Sequence, residues 1–317
     1  MKCNQLSLLL MFDYIKTSYM TNRLLLPAFI FLALCSCTTI ADPSDSARSD
    51  ETNILTIPSV GILPVKSQHT DAFLLGAFGV MLEDGSGDGR YDGTEWMNVR
   101  FTATPDGECT AERDILLSAT KGFLYSYYPY SENVTDVRHI PLDITSDASA
   151  DYMFGTPVNG IDKHHPKAAV IMNHALAAIS ISLVRGKYSG PGIITMVSVN
   201  GEGIAGKGTL DATDGTISDI SDISADILLP VRQGLISNVP FDNVLMIIPT
   251  GEISPFTIRV TIDGMDFYTS APATELAKGT VTCYKVIVNS ENLELSRGSV
   301  SQWYTEDLGS FYMEFVN

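Results

Sequence analysis

The sequence predicts an all-β chain built of two β-sandwich domains in tandem. Three observations lead there. Short apolar or alternating runs recur along residues 54–317, separated by clusters of Gly, Asp, Asn, Ser and Pro. The runs are rich in Val, Ile, Tyr, Phe and Thr, which fit a pleated, half-buried surface. No stretch carries the periodicity of a long amphipathic helix.

The elements follow in chain order. Arg23 precedes an apolar run from Leu24 to Leu34, which is too short to span a membrane as a permanent helix and reads as an export signal. It ends in Leu34-Cys35-Ser36-Cys37, which resembles a bacterial lipobox. Cys37 fits the lipidated position better than Cys35, because Leu34 is large for the residue just before a cut. The alternative is an ordinary signal peptide with incidental cysteines. Met20 is the expected start of this signal, so residues 1–36 are set apart from the fold. Residues 37–53 are small, acidic and polar, the composition of a flexible tether.

Strands are then expected at Ile54–Ile57, Ala72–Leu82, Trp96–Thr102, Gly122–Tyr128 and Val170–Val184, the last with a helical turn near His174. Further strands are expected at Ile193–Val199, Ile227–Val231, Val244–Ile248, Phe256–Ile262, Val281–Val288 and Phe311–Val316. The turn-rich segment Gly155–Pro166 divides them into an N-terminal sandwich, 54–165, and a C-terminal one, 166–317.

The formal charge of −17 has the wrong sign for wrapping nucleic acid or holding anionic lipid. Beyond the lipobox only Cys109 and Cys283 remain, far apart in sequence. They are read as two buried thiols, with a single bridge as the alternative, and no zinc pattern is present.

One motif suggests a ligand. Asp84, Ser86, Asp88, the Arg90 carbonyl, Asp92 and Glu95 occupy the spacing of an EF-hand loop, with Gly89 at its turn position. The flanks read as strands instead of helices, and Tyr91 stands where an aliphatic residue is usual, so a plain acidic hairpin loop is the competing reading. No other cofactor is indicated. His164 and His165 lie side by side in a turn-rich segment, His174 opens an apolar strand, and His69 and His139 have no nearby partner in sequence. Gly201-Glu-Gly-Ile-Ala-Gly206 shares glycines with a dinucleotide fingerprint but has no helix after it. Asn133-Val-Thr135 fits a glycosylation acceptor, a pattern common by chance. The aromatic run Phe123–Tyr130 is read as core packing ended by Pro129, against a carbohydrate platform as the alternative. Trp96 and Trp303 carry the same two readings.

Phe123-Leu-Tyr-Ser-Tyr-Tyr-Pro-Tyr130, Asp151-Tyr-Met-Phe-Gly155, Asn173–Leu183 and Ser299-Val-Ser-Gln-Trp303, in this order behind a lipobox, resemble the fimbrillin-like subunits of type V pili. The resemblance covers most of residues 54–305. It implies two transthyretin-like, Greek-key sandwiches in tandem and export as an outer-membrane lipoprotein. It also implies cleavage by a surface protease after a basic residue in the loop behind the first strand. Loss of that strand opens a groove that a strand of another subunit fills, a form of β-augmentation. Ile54–Ile57 is the expected removable strand and Lys66 the expected cut. Arg48, before the strand, is the other basic residue, and cutting there releases the lipid but leaves the groove filled. Gly309–Val316 is either the donated strand or the last strand of the second sandwich.

The expectation is therefore a non-enzymatic pilus subunit whose partners are other subunits, a maturation protease and a lipid anchor. The alternative is a monomeric surface lipoprotein that binds glycan or protein. A hydrolase has no nucleophile–base pattern in the sequence to support it.

Overall fold

A computed structural model describes residues 53–63, 76–86, 89–104, 108–236 and 239–302, the side chains of 297–302 excepted. Among these residues every regular element is a strand, and the all-β expectation holds. The first nine are β1 (Val60–Leu63), β2 (Gly76–Asp84), β3 (Trp96–Ala103), β4 (Cys109–Ala111), β5 (Gly122–Tyr128), β6 (Ile140–Asp143), β7 (Met153–Gly155), β8 (Val158–Ile161) and β9 (Val170–His174). Then come β10 (Ala177–Arg185), β11 (Ile193–Asn200), β12 (Lys207–Asp211), β13 (Thr216–Ser221), β14 (Asp226–Gly234) and β15 (Phe241–Ile247). The last six are β16 (Gly251–Ile253), β17 (Phe256–Ile262), β18 (Met265–Ala271), β19 (Thr274–Leu276), β20 (Thr280–Val288) and β21 (Leu293–Gln302).

Two expectations need correction. Residues 54–57 make only isolated bridges, and the first ladder lies at β1. Val60-Gly-Ile-Leu63 was hidden because Gly61 weakens its strand signal and Pro58 precedes it. The run 170–184 is two strands with a corner at Ala175-Leu176 in place of a helical turn; the Ala175 amide donates to the Tyr152 carbonyl there.

The first sheet has the order β1-β9-β7-β5-β2-β3-β4, with β8 also paired to β5. It is antiparallel except for β1 against β9. Its central strands are buried on both faces, which an antiparallel sheet with one wet side would not show. Phe78, Val80 and Leu82 of β2 enter one core with Leu124 of β5 and Met153 of β7. Met81, Tyr127 and Phe154, on the opposite face of the same strands, enter a second core. This two-sided burial explains why Ala77-Phe-Gly-Val-Met-Leu82 reads as a continuous apolar run. It also resolves the aromatic run: Tyr125 and Tyr127 pack on the second core and Tyr128 on the first, and β5 ends just before Pro129.

The second core lies between the sheets β15-β10-β20-β21 and β14-β11-β17-β18, where Phe256 meets Tyr284 edge to face at 5.7 Å. Side chains pass from the first cluster to the second between Met172 and Ala175, since β9 still belongs to the first sheet. The excursion between β5 and β7 also reaches the second core, and its β6 pairs antiparallel with β12. Phe154 crosses to the β12–β13 turn, where Lys278 lies 4.8 Å over its ring and donates to the Gly215 carbonyl at 3.1 Å.

One end of the second sandwich is tied by polar groups. Asp263 and Gly264, both at positive φ, make the tight β17–β18 turn that an Asp-Gly pair favours. The Asp263 carboxylate accepts from the Gly192 and Ile193 amides and from the Tyr188 hydroxyl, each at 2.8 Å. Arg185 binds the other side of this loop, donating to the carbonyls of Tyr188, Gly190, Pro191 and Leu235. The Gly192 amide, with help from Ile193, Tyr188 and Arg185, holds the Asp263 carboxyl below the usual carboxylate range against its desolvation.

Two outcomes follow from this packing. A Cβ at Gly79 would enter the Tyr127 ring, so Gly79→Ala should cost about 1–3 kcal/mol, read as a lower urea midpoint at unchanged slope. The depressed Asp263 group stabilises the fold fully above its ordinary value and loses that contribution as pH falls through the lowered one. The stability gap between wild type and Asp263→Asn should therefore be widest near neutral pH and narrow in acid, which thermal melts across a pH series would show.

Candidate assembly site

The N-terminal described segment, residues 53–63, lies along an edge of the first sheet. It is extended but not one strand. The Leu55 amide donates to the Ile115 carbonyl at 2.9 Å and the Leu117 amide to Asn53 at 2.7 Å. Thr56 then turns to another neighbour, donating to Pro166 at 2.8 Å and accepting from Ala168 at 2.9 Å. Pro58 has no amide hydrogen to continue a ladder, and the chain resumes pairing as β1, with Val60 opposite Val170 and Leu63 opposite Asn173.

Its side chains alternate. Leu55, Ile57, Val60 and Ile62 are all at most 3% exposed and enter the first core, while Thr56 and Leu63 face outward. Each inward residue stabilises the fold by about 1.5–3 kcal/mol through burial. Ile115, Leu117, Ala168, Val170 and Met172 belong to the same cluster and form the walls around them. Among the described residues β1 is nevertheless an edge strand whose one partner is β9, through a four-residue parallel ladder. Apolar burial thus outweighs backbone pairing in holding it.

Lys66 follows within three residues of β1, in the stretch 64–75 outside the described residues. Cys37, Arg48, His69, Trp303 and Gly309–Val316 also lie outside them.

The EF-hand-like loop joins β2 to β3. Asp84 Oδ1 accepts from the Ser86 amide at 2.8 Å and Oδ2 from the Asp92 amide at 3.1 Å. The Asp84 amide in turn donates to the Arg90 carbonyl at 2.7 Å. Hydrogen bonds from Ser86, then from Asp92, hold the Asp84 carboxyl below its usual range. Tyr91 anchors the loop: buried in the first core, it donates its hydroxyl to Thr120 at 2.7 Å. Asp92 and Glu95 are exposed, and Asp88 lies outside the described residues. Among the described residues no three His, Cys, Asp or Glu side chains gather so as to hold a metal.

The other sequence features are structural. No disulfide joins Cys109 to Cys283; both are half-buried, and burial pushes the Cys109 thiol up. His174 Nδ1 meets Asp151 at 2.9 Å inside the fold, and His165 Nδ1 meets Asp162 at 3.0 Å. His139 does have a local partner, Asp136, at 2.8 Å, which the sequence reading missed. Gly201–Gly206 is the connection from β11 to β12, with no helix after it, and Trp96 is half-buried beneath the Arg113 guanidinium at 5.3 Å. Truncating the inward face of the first segment should be costly: Ile62→Ala is expected to lose about 2–5 kcal/mol in denaturant unfolding, and the outward Thr56→Ala under about 0.5 kcal/mol.

No curated protein matches the chain in sequence. Among solved structures it is similar to a proposed cell adhesion protein of Bacteroides ovatus, at 12% identity and a TM-score of 0.62, over 81% of this chain and 99% of that one. It is also similar to another of Bacteroides uniformis, at 20% identity and a TM-score of 0.61, over 80% of this chain and 100% of that one. At these identities the likeness is one of fold. The fimbrillin-like family model matches residues 76–303, most of the described structure. On that match, the chain belongs to the fimbrillin-like family.

Proposed function

We propose that this protein is a structural subunit of a cell-surface pilus, exported as a lipid-anchored precursor and assembled by protease-gated strand exchange. The observation that carries the proposal is the seating of residues 53–63. Four of its apolar side chains are buried in the first core, β1 lies at an edge of the described sheet, and Lys66 follows three residues after β1 in the sequence.

In this reading Cys37 carries the lipid, and a cut after Lys66 frees everything before it. Without β1, the β9 edge would present unpaired backbone groups beside pockets lined by Val170, Met172 and Ile115. An extended segment from another subunit would replace both the ladder and the alternate side chains. A cut at Arg48 would remove the lipid yet leave the groove filled. The two cores correspond to two sandwich units of transthyretin-like, Greek-key type. The expected division into 54–165 and 166–317 belongs to this reading; β9 pairs within the first sheet, and the switch of side chains from the first core to the second between Met172 and Ala175 supports a boundary a few residues later. As a structural subunit at the outer-membrane surface, the protein performs no catalysis.

Limited digestion of the purified precursor with a trypsin-like protease tests the reading. Cleavage after Lys66 should convert monomer to oligomers on size-exclusion chromatography; Lys66→Gln should block both events and Arg48→Gln neither. A fragment cut after Lys66 that keeps its fold and stays monomeric at high concentration would remove the support for strand exchange.

A further inference from the structure

The outer face of the sheet β14-β11-β17-β18 carries a polar depression of about 340 Å³, lined by Ser198, Asn200, Asp226, Thr257, Arg259 and Tyr268. All four strands contribute, and the register places the residues side by side. Ser198 lies opposite Arg259, Arg259 opposite Tyr268, and Asn200 opposite both Asp226 and Thr257. The other face of these strands supplies Val197, Val199, Ile258 and Val260 to the second core, so the floor of the depression is fixed by packing.

We propose that this depression binds a neutral saccharide. Arg259 lies across its centre, donating Nε to Ser198 Oγ at 3.1 Å and Nη2 to Asp226 Oδ2 at 3.2 Å. That pairing fixes the guanidinium at two points and leaves the pair without net charge. Sugar hydroxyls both donate and accept. They meet donors on Arg259, acceptors on Asp226, and a hydroxyl on Thr257 that does both. Asn200 Nδ2 donates to the Ser224 and Ala225 carbonyls at 3.1 Å each, so its oxygen is the group it offers a ligand.

Tyr268 supplies the apolar element. It is 58% exposed and stands next to Arg259. Its hydroxyl donates to Asp266 at 3.4 Å, and Asp266 accepts from Thr261 at 2.6 Å, a chain that restrains the phenol before any ligand arrives. A ring held at the edge of a polar depression suits the C–H face of a pyranose.

The first sheet holds a second depression of about 420 Å³ with similar chemistry, lined by Arg100, Thr102, Glu112, Tyr130 and Glu132 among others. There the Arg100 guanidinium sits 5.4 Å over the Tyr130 ring and occupies the face a sugar would need. Among the described residues no cation covers Tyr268 in this way. The acidic chain, at −17, also disfavours anionic sugars.

Saccharide binding in this depression does not depend on strand exchange and is tested on the uncleaved full chain. Lactose, maltose, cellobiose, N-acetyllactosamine and sialyllactose are titrated separately and followed by saturation-transfer NMR. At least one neutral disaccharide should bind saturably, and Tyr268→Ala should weaken it on the order of tenfold, as loss of a contact aromatic does. Tyr268→Trp should retain binding, Thr257→Ala should weaken it, and Glu132→Gln, in the other depression, should leave it unchanged. Absence of saturable binding by every neutral sugar would overturn the proposal. So would binding indifferent to Tyr268→Ala and Thr257→Ala in folded variants, or a preference for sialyllactose that depends on Tyr268.

Discussion

The rest of the structure depends on the burial of both faces of the β7-β5-β2 wall. Met153, Leu124, Phe78 and Val80 lie on one side, Phe154, Tyr127 and Met81 on the other, and each set closes a different core. A strand shared in this way cannot slip by one residue without exchanging the contents of the two cores, so its register is specified twice. Close packing accompanies this constraint. Tyr127 lies against the bare Cα of Gly79, and its hydroxyl meets the Ser131 carbonyl and the Asn98 side chain in the space that remains. Burial pushes that phenol up to about 12, so it stays neutral at physiological pH.

A wall buried on both sides leaves exchange possible only at the periphery. In the first sheet the edges are β4 and β1. They differ in what holds them. β4 pairs three residues with β3 and contributes only half-buried side chains, whereas β1 and the segment before it insert four fully buried ones. The β1 segment is therefore the element whose loss would leave both an unpaired edge and open apolar pockets, the combination that strand addition requires. The β6–β12 ladder and the Phe154–Lys278 contact belong to the second core, away from that edge.

Much of this was legible in the chain. The alternation in Phe256–Ile262, the β-branched run at Val281–Val288 and the turn residues between them marked strands that the structure contains. The aromatic run was rightly assigned to packing. Asp263-Gly264 was a hairpin signal in plain view, whereas the bond of its carboxylate to the Ile193 amide, seventy residues earlier, was not. Other elements were not legible. β4, β7, β16 and β19 are three residues long, below what periodicity can register. The EF-hand-like spacing is a pattern of residue types, and sequence could not show that Asp84 would be engaged by the Ser86 and Asp92 amides.

By itself, the sequence determined the strand character of the chain, the places where it turns, its acidity and its family. Those properties reside in neighbours one to four residues apart, which is the range over which side-chain alternation and turn chemistry act. Only the tertiary structure decided which strands pair, which lie at edges, and which faces are buried twice. Pairing β1 with β9, or gathering Asn200, Asp226, Arg259 and Tyr268 on one outer face, depends on contacts between residues tens of positions apart. Those contacts are chosen by the collective burial of the two cores, and no local pattern records them.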